Sequence, residues 1–175
     1  MSASKGHVLD ANVFIQAHRL YYAFDICPGF WNALIRQHRS GSICSIDRVK
    51  AELVHEDDDL SQWVKGKVPR EFFKGTDDRR VIETFGEMAN WVEHEDQFTR
   101  EAKAQFASVA DGWLVAFARV NGLTVVTREE YAPQVKKSVR IPNVCIEFSV
   151  KYCTTFEMLR GVKEQFVLKT RRRRA

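Results

Sequence analysis

Apolar and polar positions change period several times along the chain, and each change marks an element. Residues 6–10 are a short apolar run through Val8 and Leu9 that ends on a carboxylate, Asp10, and read as a strand. An apolar segment follows over residues 13–20, with Asn12 placed as its N-cap. Phe30, Trp31, Leu34 and Ile35 recur at helical spacing, and Ser40-Gly41 closes that helix. Residues 42–45 read as a second strand. Ser45 is placed to cap a helix whose apolar positions are Ile46, Val49 and Leu53. Leu60, Trp63 and Val64 mark a further helix, while residues 65–75, with Gly66, Pro69 and Gly75, read as loop. From Asp77 the helical period is strongest, through Val81, Ile82, Phe85, Met88, Ala89 and Val92. Two helices meeting near Ser108 are expected over residues 102–119, the second carrying Trp113, Leu114 and Phe117 on one face. Residues 123–127 are the clearest strand, β-branched and preceded by Asn121-Gly122. Another short strand is expected within residues 141–148. Thr154 and Glu157 then have capping-box spacing and open a last helix toward Val162.

Strands separated by helices predict an α/β fold, a three-layer sandwich with a short, mainly parallel central sheet. At 175 residues the chain has the length of one domain. It is expected to be a single domain over residues 1–165, with a helical insertion at about residues 55–100 packed on the same core and a basic tail at 166–175. No repeat interrupts it.

Composition is that of a globular protein, 45% hydrophobic and 29% charged, which argues against disorder. No apolar run approaches the roughly 20 residues that cross a bilayer, and residues 1–7 are small and polar without a signal-peptide apolar stretch. A cytoplasmic protein without a membrane partner is therefore expected. Cys27, Cys44, Cys145 and Cys153 form no C-x-x-C pair, and Cys44 and Cys145 lie in apolar, strand-like runs. Free thiols in a reducing compartment are expected. The net charge of +4 resides in Arg171, Arg172, Arg173 and Arg174; the rest of the chain has 23 basic and 23 acidic side chains. Such a run either binds nucleic-acid phosphates or is a solvated tail.

The candidate chemistry is carboxylate chemistry. In open parallel sheets ligands gather at the carboxyl ends of strands, which is where Asp10 and the Thr127-Arg128-Glu129 segment fall. Glu52 lies beside the apolar face of its helix. Asp111 stands three residues after Ser108, as in a capping box, next to the stripe of Phe106, Val109, Trp113 and Leu114. Each has a structural alternative: a turn carboxylate for Asp10, a solvated helix residue for Glu52, a helix cap for Asp111, and a charged loop start for Glu129 beside Glu130. Several carboxylates converging on one cleft repel unless protons or cations compensate them, and hard oxygen donors select Mg²⁺ or Mn²⁺. Other reaction classes lack their signatures: there is no Gly-rich phosphate loop, no G-x-S-x-G and no H-E-x-x-H. The five histidines share no ligand spacing.

Four segments occur together in a recognisable order: Val8-Leu9-Asp10-Ala11-Asn12, the helix bearing Glu52 and Leu53, Ala110-Asp111-Gly112-Trp113, and Val125-Val126-Thr127-Arg128-Glu129. Over roughly residues 7–160 this set resembles the PIN-domain nucleases, VapC-like ribonucleases among them, and in particular an uncharacterised bacterial PIN-like branch. The resemblance implies a Mg²⁺- or Mn²⁺-dependent endoribonuclease, the toxin of a toxin–antitoxin pair. Asp10, Glu52 and Asp111 would ligate metal, and Glu129 would support a second metal or the water. Thr127 would orient a carboxylate, with Asn12 as an accessory polar group. Glu129 stands where that family more often has aspartate, which makes Glu130 a competitor for the position. RNA as substrate, a cognate antitoxin and a homodimer are the partners implied. Two other readings share these residues. One is a catalytically inactive PIN-like module that binds RNA or protein, motivated by Glu129 and by the insertion's aromatics, Trp63 and Trp91. The other is a DNA-acting structure-specific nuclease.

Overall fold

The computed structural model describes residues 6–167. Five short strands form its centre: β1 (His7–Leu9), β2 (Ile43–Ile46), β3 (Phe73–Lys74), β4 (Thr124–Val126) and β5 (Tyr152–Cys153). The sheet is parallel throughout, in the order β3-β2-β1-β4-β5. Among the described residues it is flanked by α1 (Ala11–Gln16), α2 (Pro28–Arg39), α3 (Asp47–Leu53), α4 (Asp59–Gly66), α5 (Arg79–His94), α6 (Arg100–Ser108), α7 (Asp111–Asn121), α8 (Ile141–Glu147) and α9 (Thr155–Gly161). A π-helical turn, Ala17–Tyr21, prolongs α1. This is the three-layer α/β sandwich that the alternation of strands and helices predicts. No helix of the described residues is long and apolar enough to cross a membrane.

Burial on both faces explains why the strands read as continuous apolar runs. Val8, Leu9, Val125 and Val126 are all fully buried, and the four residues of β2 are buried as well. Helix α7 packs against β1, β2 and β4 and against α5 and α8. Its small residues Ala116 and Ala118, together with Leu114 and Val115, are completely enclosed. Gly122, left-handed at φ +67°, ends it and turns the chain into β4. Elsewhere an aromatic cluster joins α1, α2 and α4 to β3. Phe14 lies 6.1 Å edge-on from Phe72 and 6.5 Å from Trp63, and Trp63 lies 4.8 Å edge-on from Trp31.

Sheet order sets the location of the site. From β1 the chain builds outward through β2 to β3, then returns to place β4 on the other side of β1. The order therefore reverses between β1 and β4, and the crevice beyond their carboxyl ends is the expected ligand position in such a sheet. Leu9 is in register with Val126, and the amide of Asp10 donates to the Val126 carbonyl at 3.0 Å.

Several local expectations are corrected. Asp10, not Asn12, occupies the N-cap position of α1. Ser45 is not a helix cap: it is buried within β2 and its hydroxyl donates to the Leu9 carbonyl at 2.6 Å. Residues 65–75 are not all loop, because a 3₁₀ turn, Arg70–Phe72, leads into β3, paired with Ser45 and Ile46. The strand expected in residues 141–148 is helix α8, and Cys145 lies in it. Pro142 sits in its first turn, where its missing N–H costs nothing. Residues 55–100 contribute an edge strand as well as helices. All four cysteines are free, and Thr154 and Glu157 form a complete capping box at α9.

Candidate functional site

The crevice between β1 and β4 is built on Asp10. The residue is 2% exposed, and Thr127, 1% exposed, donates its hydroxyl to Asp10 Oδ2 at 3.0 Å. The same hydroxyl oxygen accepts the amide of Glu129 at 3.2 Å. One buried threonine thus fixes the aspartate of β1 and the turn of chain that follows β4. Behind it, the Ser45 hydroxyl holds the Leu9 carbonyl, the last backbone oxygen before Asp10.

Glu52 and Glu129 reach the crevice from the outside, each tied by one oxygen to a backbone amide. Glu52 Oε1 accepts from Ala110 N at 3.1 Å, joining α3 to the start of α7. Glu129 Oε2 accepts from Ile141 N at 2.7 Å, at the start of α8. Asn143 reinforces that loop, accepting from Ala132 N at 3.3 Å and donating to Ala132 O at 2.9 Å. Asp111 is the first residue of α7. It is not the partner of a Ser108 capping box, since the Ser108 hydroxyl turns back to the Gln105 carbonyl and Ala110 sits at the cap position. Among the described residues the Asp111 carboxylate accepts no hydrogen bond. With Glu129, Phe106 and Val139 it lines a cavity of about 70 Å³, large enough for water.

The electrostatics show that these side chains share one field. Burial raises the Asp10 carboxyl to about 6; Thr127 and the Asn12 amide oppose the rise, and the charges of Glu129 and Glu52 add to it. Asp111 is pushed to about 8, first by burial and then by Asp10, Glu129 and Glu52. No basic side chain contributes to either shift. The ion pairs among the described residues, such as Arg36–Glu164 and Arg119–Glu87, leave these four carboxylates out. Asp47 in α3 shows the contrast. Its carboxylate accepts from Thr76 N and Thr76 Oγ1, and Arg48 beside it stacks 3.8 Å from the Trp113 ring centre. That acid has structural partners, whereas the cluster has chiefly its own kind.

Asp10 and Asp111 thus feel the charges of Glu52 and Glu129, and Thr127 is bonded directly to Asp10. Asn12 contributes its backbone amide. The Glu130 carboxylate is not drawn in: only its carbonyl is engaged, by Arg140 at 3.2 Å. Arg171, Arg172, Arg173 and Arg174 lie outside the described residues. Among the described residues no three His, Cys, Asp or Glu side chains converge closely enough to form a metal cage as they stand. Sequence reasoning missed Ser45, Asn143 and Gly112. Gly112 sits against aromatic rings: a Cβ there would fall 2.6 Å from Phe106 and 2.8 Å from Phe85. Its position directly after Asp111 was the available signal.

Residues 7–166 match the family described as Domain of unknown function (DUF4411). The chain belongs to this family. The match spans every element of the sandwich and all four carboxylates. No curated protein matches the sequence.

Proposed function

We propose that the protein is a divalent-metal-dependent endoribonuclease in which Asp10, Glu52, Asp111 and Glu129 form the cation site. The observation that carries this reading is that carboxylates from four separate segments act electrostatically on one another, at Asp10 and Asp111, with no basic side chain offsetting them. In the chain alone near neutral pH, a proton on Asp111 relieves the repulsion. A hard divalent cation would do so while leaving every carboxylate ionised. The donor set fits Mg²⁺ or Mn²⁺: all ligands are oxygens, Asp111 accepts no hydrogen bond, and Glu52 and Glu129 each commit one oxygen to an amide and keep the other. The side chains are not gathered into a finished cage, which agrees with Mg²⁺ sites that keep several waters and complete their shell with substrate phosphate.

A cation held by these carboxylates would supply an activated water and offset charge on a phosphodiester. The protein's share is positioning. Thr127 fixes the rotamer of Asp10, and the amides of Ala110 and Ile141 hold the two glutamates. Asp111, in the first turn of α7, would give up its proton as a cation binds. Likeness to PIN-domain nucleases extends the proposal to RNA as substrate and to a cytoplasmic toxin with a cognate antitoxin, as a homodimer. The binding-module alternative loses its motive in the insertion, because Trp63 and Trp91 pack against Phe14, Trp31, Phe98 and Phe148.

The test is cleavage of end-labelled single-stranded RNA with Mn²⁺, Mg²⁺ or EDTA, comparing wild type with Asp10→Asn and Asp111→Asn. Metal-dependent cutting that drops to the EDTA level in both variants is expected. Undiminished cutting by both folded variants would overturn the assignment.

A further inference from the structure

Directly after Thr127, Arg128 leaves the carboxylate crevice and crosses to the turn that prolongs α1. Its guanidinium carbon lies 5.2 Å from the ring centre of Tyr21, within cation–π range. Both residues are exposed, Tyr21 by 53%. Among the described residues the guanidinium donates no hydrogen bond and joins no ion pair. Nor does its charge offset Asp10 or Asp111. A planar cation is thus held on an aromatic face with its N–H donors left for something outside the chain.

Its surroundings narrow what that something is. Tyr21 and Arg128 share a cleft with Val13, Gln16, Thr155 and Phe156. Val13 donates its amide to the Asp10 carbonyl at 3.1 Å, so the cleft is one helical turn from the carboxylates. Its volume of about 20 Å³ admits roughly one water and no side chain. An occupant therefore lies across the rim rather than inserting. At the cleft, Thr155 is 7% exposed and its hydroxyl is buried without a partner, while Phe156 is 48% exposed beside it. Flat aromatic surface and a donor-rich cation beside an acidic centre suit an unstacked nucleotide better than a protein segment. The base has a π-face for Tyr21, and its phosphate needs a cation to approach so acidic a crevice.

We propose that Tyr21 and Arg128 seat a nucleotide of single-stranded RNA next to the phosphate to be cut, Tyr21 stacking the base and Arg128 binding a phosphate. The identity of the strand rests on the nuclease reading above. Duplex RNA is disfavoured at this seat, because its bases are already stacked and unavailable to Tyr21.

The test is fluorescence anisotropy of a labelled single-stranded RNA of about ten nucleotides. It is run in EDTA so that nothing is cut, across a salt series, with circular dichroism as the folding control. Tyr21→Ala is expected to weaken binding by about 5–100-fold without changing the salt dependence, and Tyr21→Phe to bind as wild type. Arg128→Gln is expected to reduce the slope of log affinity against log salt by about 1, and Arg128→Lys to restore it. Wild-type affinity and slope in both Tyr21→Ala and Arg128→Gln, or no RNA binding by the wild type, would overturn the proposal. RNA cut by the wild type but bound equally by all variants would sink this seat and leave the nuclease reading intact. RNA bound through the pair yet never cut would support the seat and remove the nuclease reading.

Discussion

Thr127 Oγ1 and Asp10 Oδ2 lie 3.0 Å apart, a buried hydrogen bond between residues 117 positions apart in the chain. It spans the ends of β4 and β1, and the same hydroxyl oxygen receives the Glu129 amide. Thr127→Val keeps the shape and removes both interactions. It is expected to cost about 1–2 kcal/mol of stability and to weaken Mn²⁺ binding by about tenfold, as loss of a ligand-orienting partner does. Chemical denaturation and calorimetric titration read the two effects. Thr127→Ser is expected to recover most of each.

Asp111 links folding to pH. Its folded pKa, about 8, lies above the ordinary 3.8, so between those values the folded chain holds a proton that the unfolded chain has released. Stability from this group is therefore present at pH 4, declines as pH rises, and is lost above about pH 8. Asp111→Asn cannot ionise. The metal-free variant is expected to melt like wild type near pH 4 and to be more stable near pH 9, by up to about 6 kcal/mol for the full shift. A stability difference that does not change with pH would contradict this.

Gly112 sets the space beside that aspartate. A methyl at this position would meet the Phe106 and Phe85 rings at 2.6 and 2.8 Å. Phe85 in turn stacks on Trp113 at 4.0 Å, so it has little room to retreat. Gly112→Ala is expected to destabilise the protein by about 1–3 kcal/mol despite the better helix propensity of alanine. Gly86→Ala in α5, where nothing lies within 4 Å, is expected to stabilise slightly by comparison. Thermal melts of the two variants check the difference.

The parts of the fold legible in the sequence were those whose signal is local. Strands β1 and β4 stand out because both are buried apolar runs beside turn residues, and α5 and α9 because period and capping are written into consecutive residues. Strands β3 and β5 are two residues each, and they exist only through pairing with β2 and β4. Nothing within Phe73–Lys74 or Tyr152–Cys153 announces that partner. The first five residues of α8, Ile141 to Cys145, are all buried, and so short an apolar run has no period that separates strand from helix. Ser45 misled for a related reason: a serine before an apolar helix suits a cap, and only the approach of Leu9 made it a buried strand donor. Within the site, Asp10 and Glu129 were readable from strand ends. The ties that bring in Glu52 and hold Glu129, to Ala110 and Ile141, belong to tertiary structure.

The claim on which the account depends is that the four carboxylates take up a divalent cation together. Calorimetric titration of the purified protein with Mn²⁺ tests it, run at pH 6, 7 and 8 in two buffers of different ionisation enthalpy. Binding is expected to tighten by up to about tenfold per pH unit and to release about one proton at pH 7 as Asp111 ionises. It is expected to be abolished in Asp10→Asn. Binding that is independent of pH, releases no proton and survives Asp10→Asn and Asp111→Asn alike would place the cation elsewhere and contradict the account.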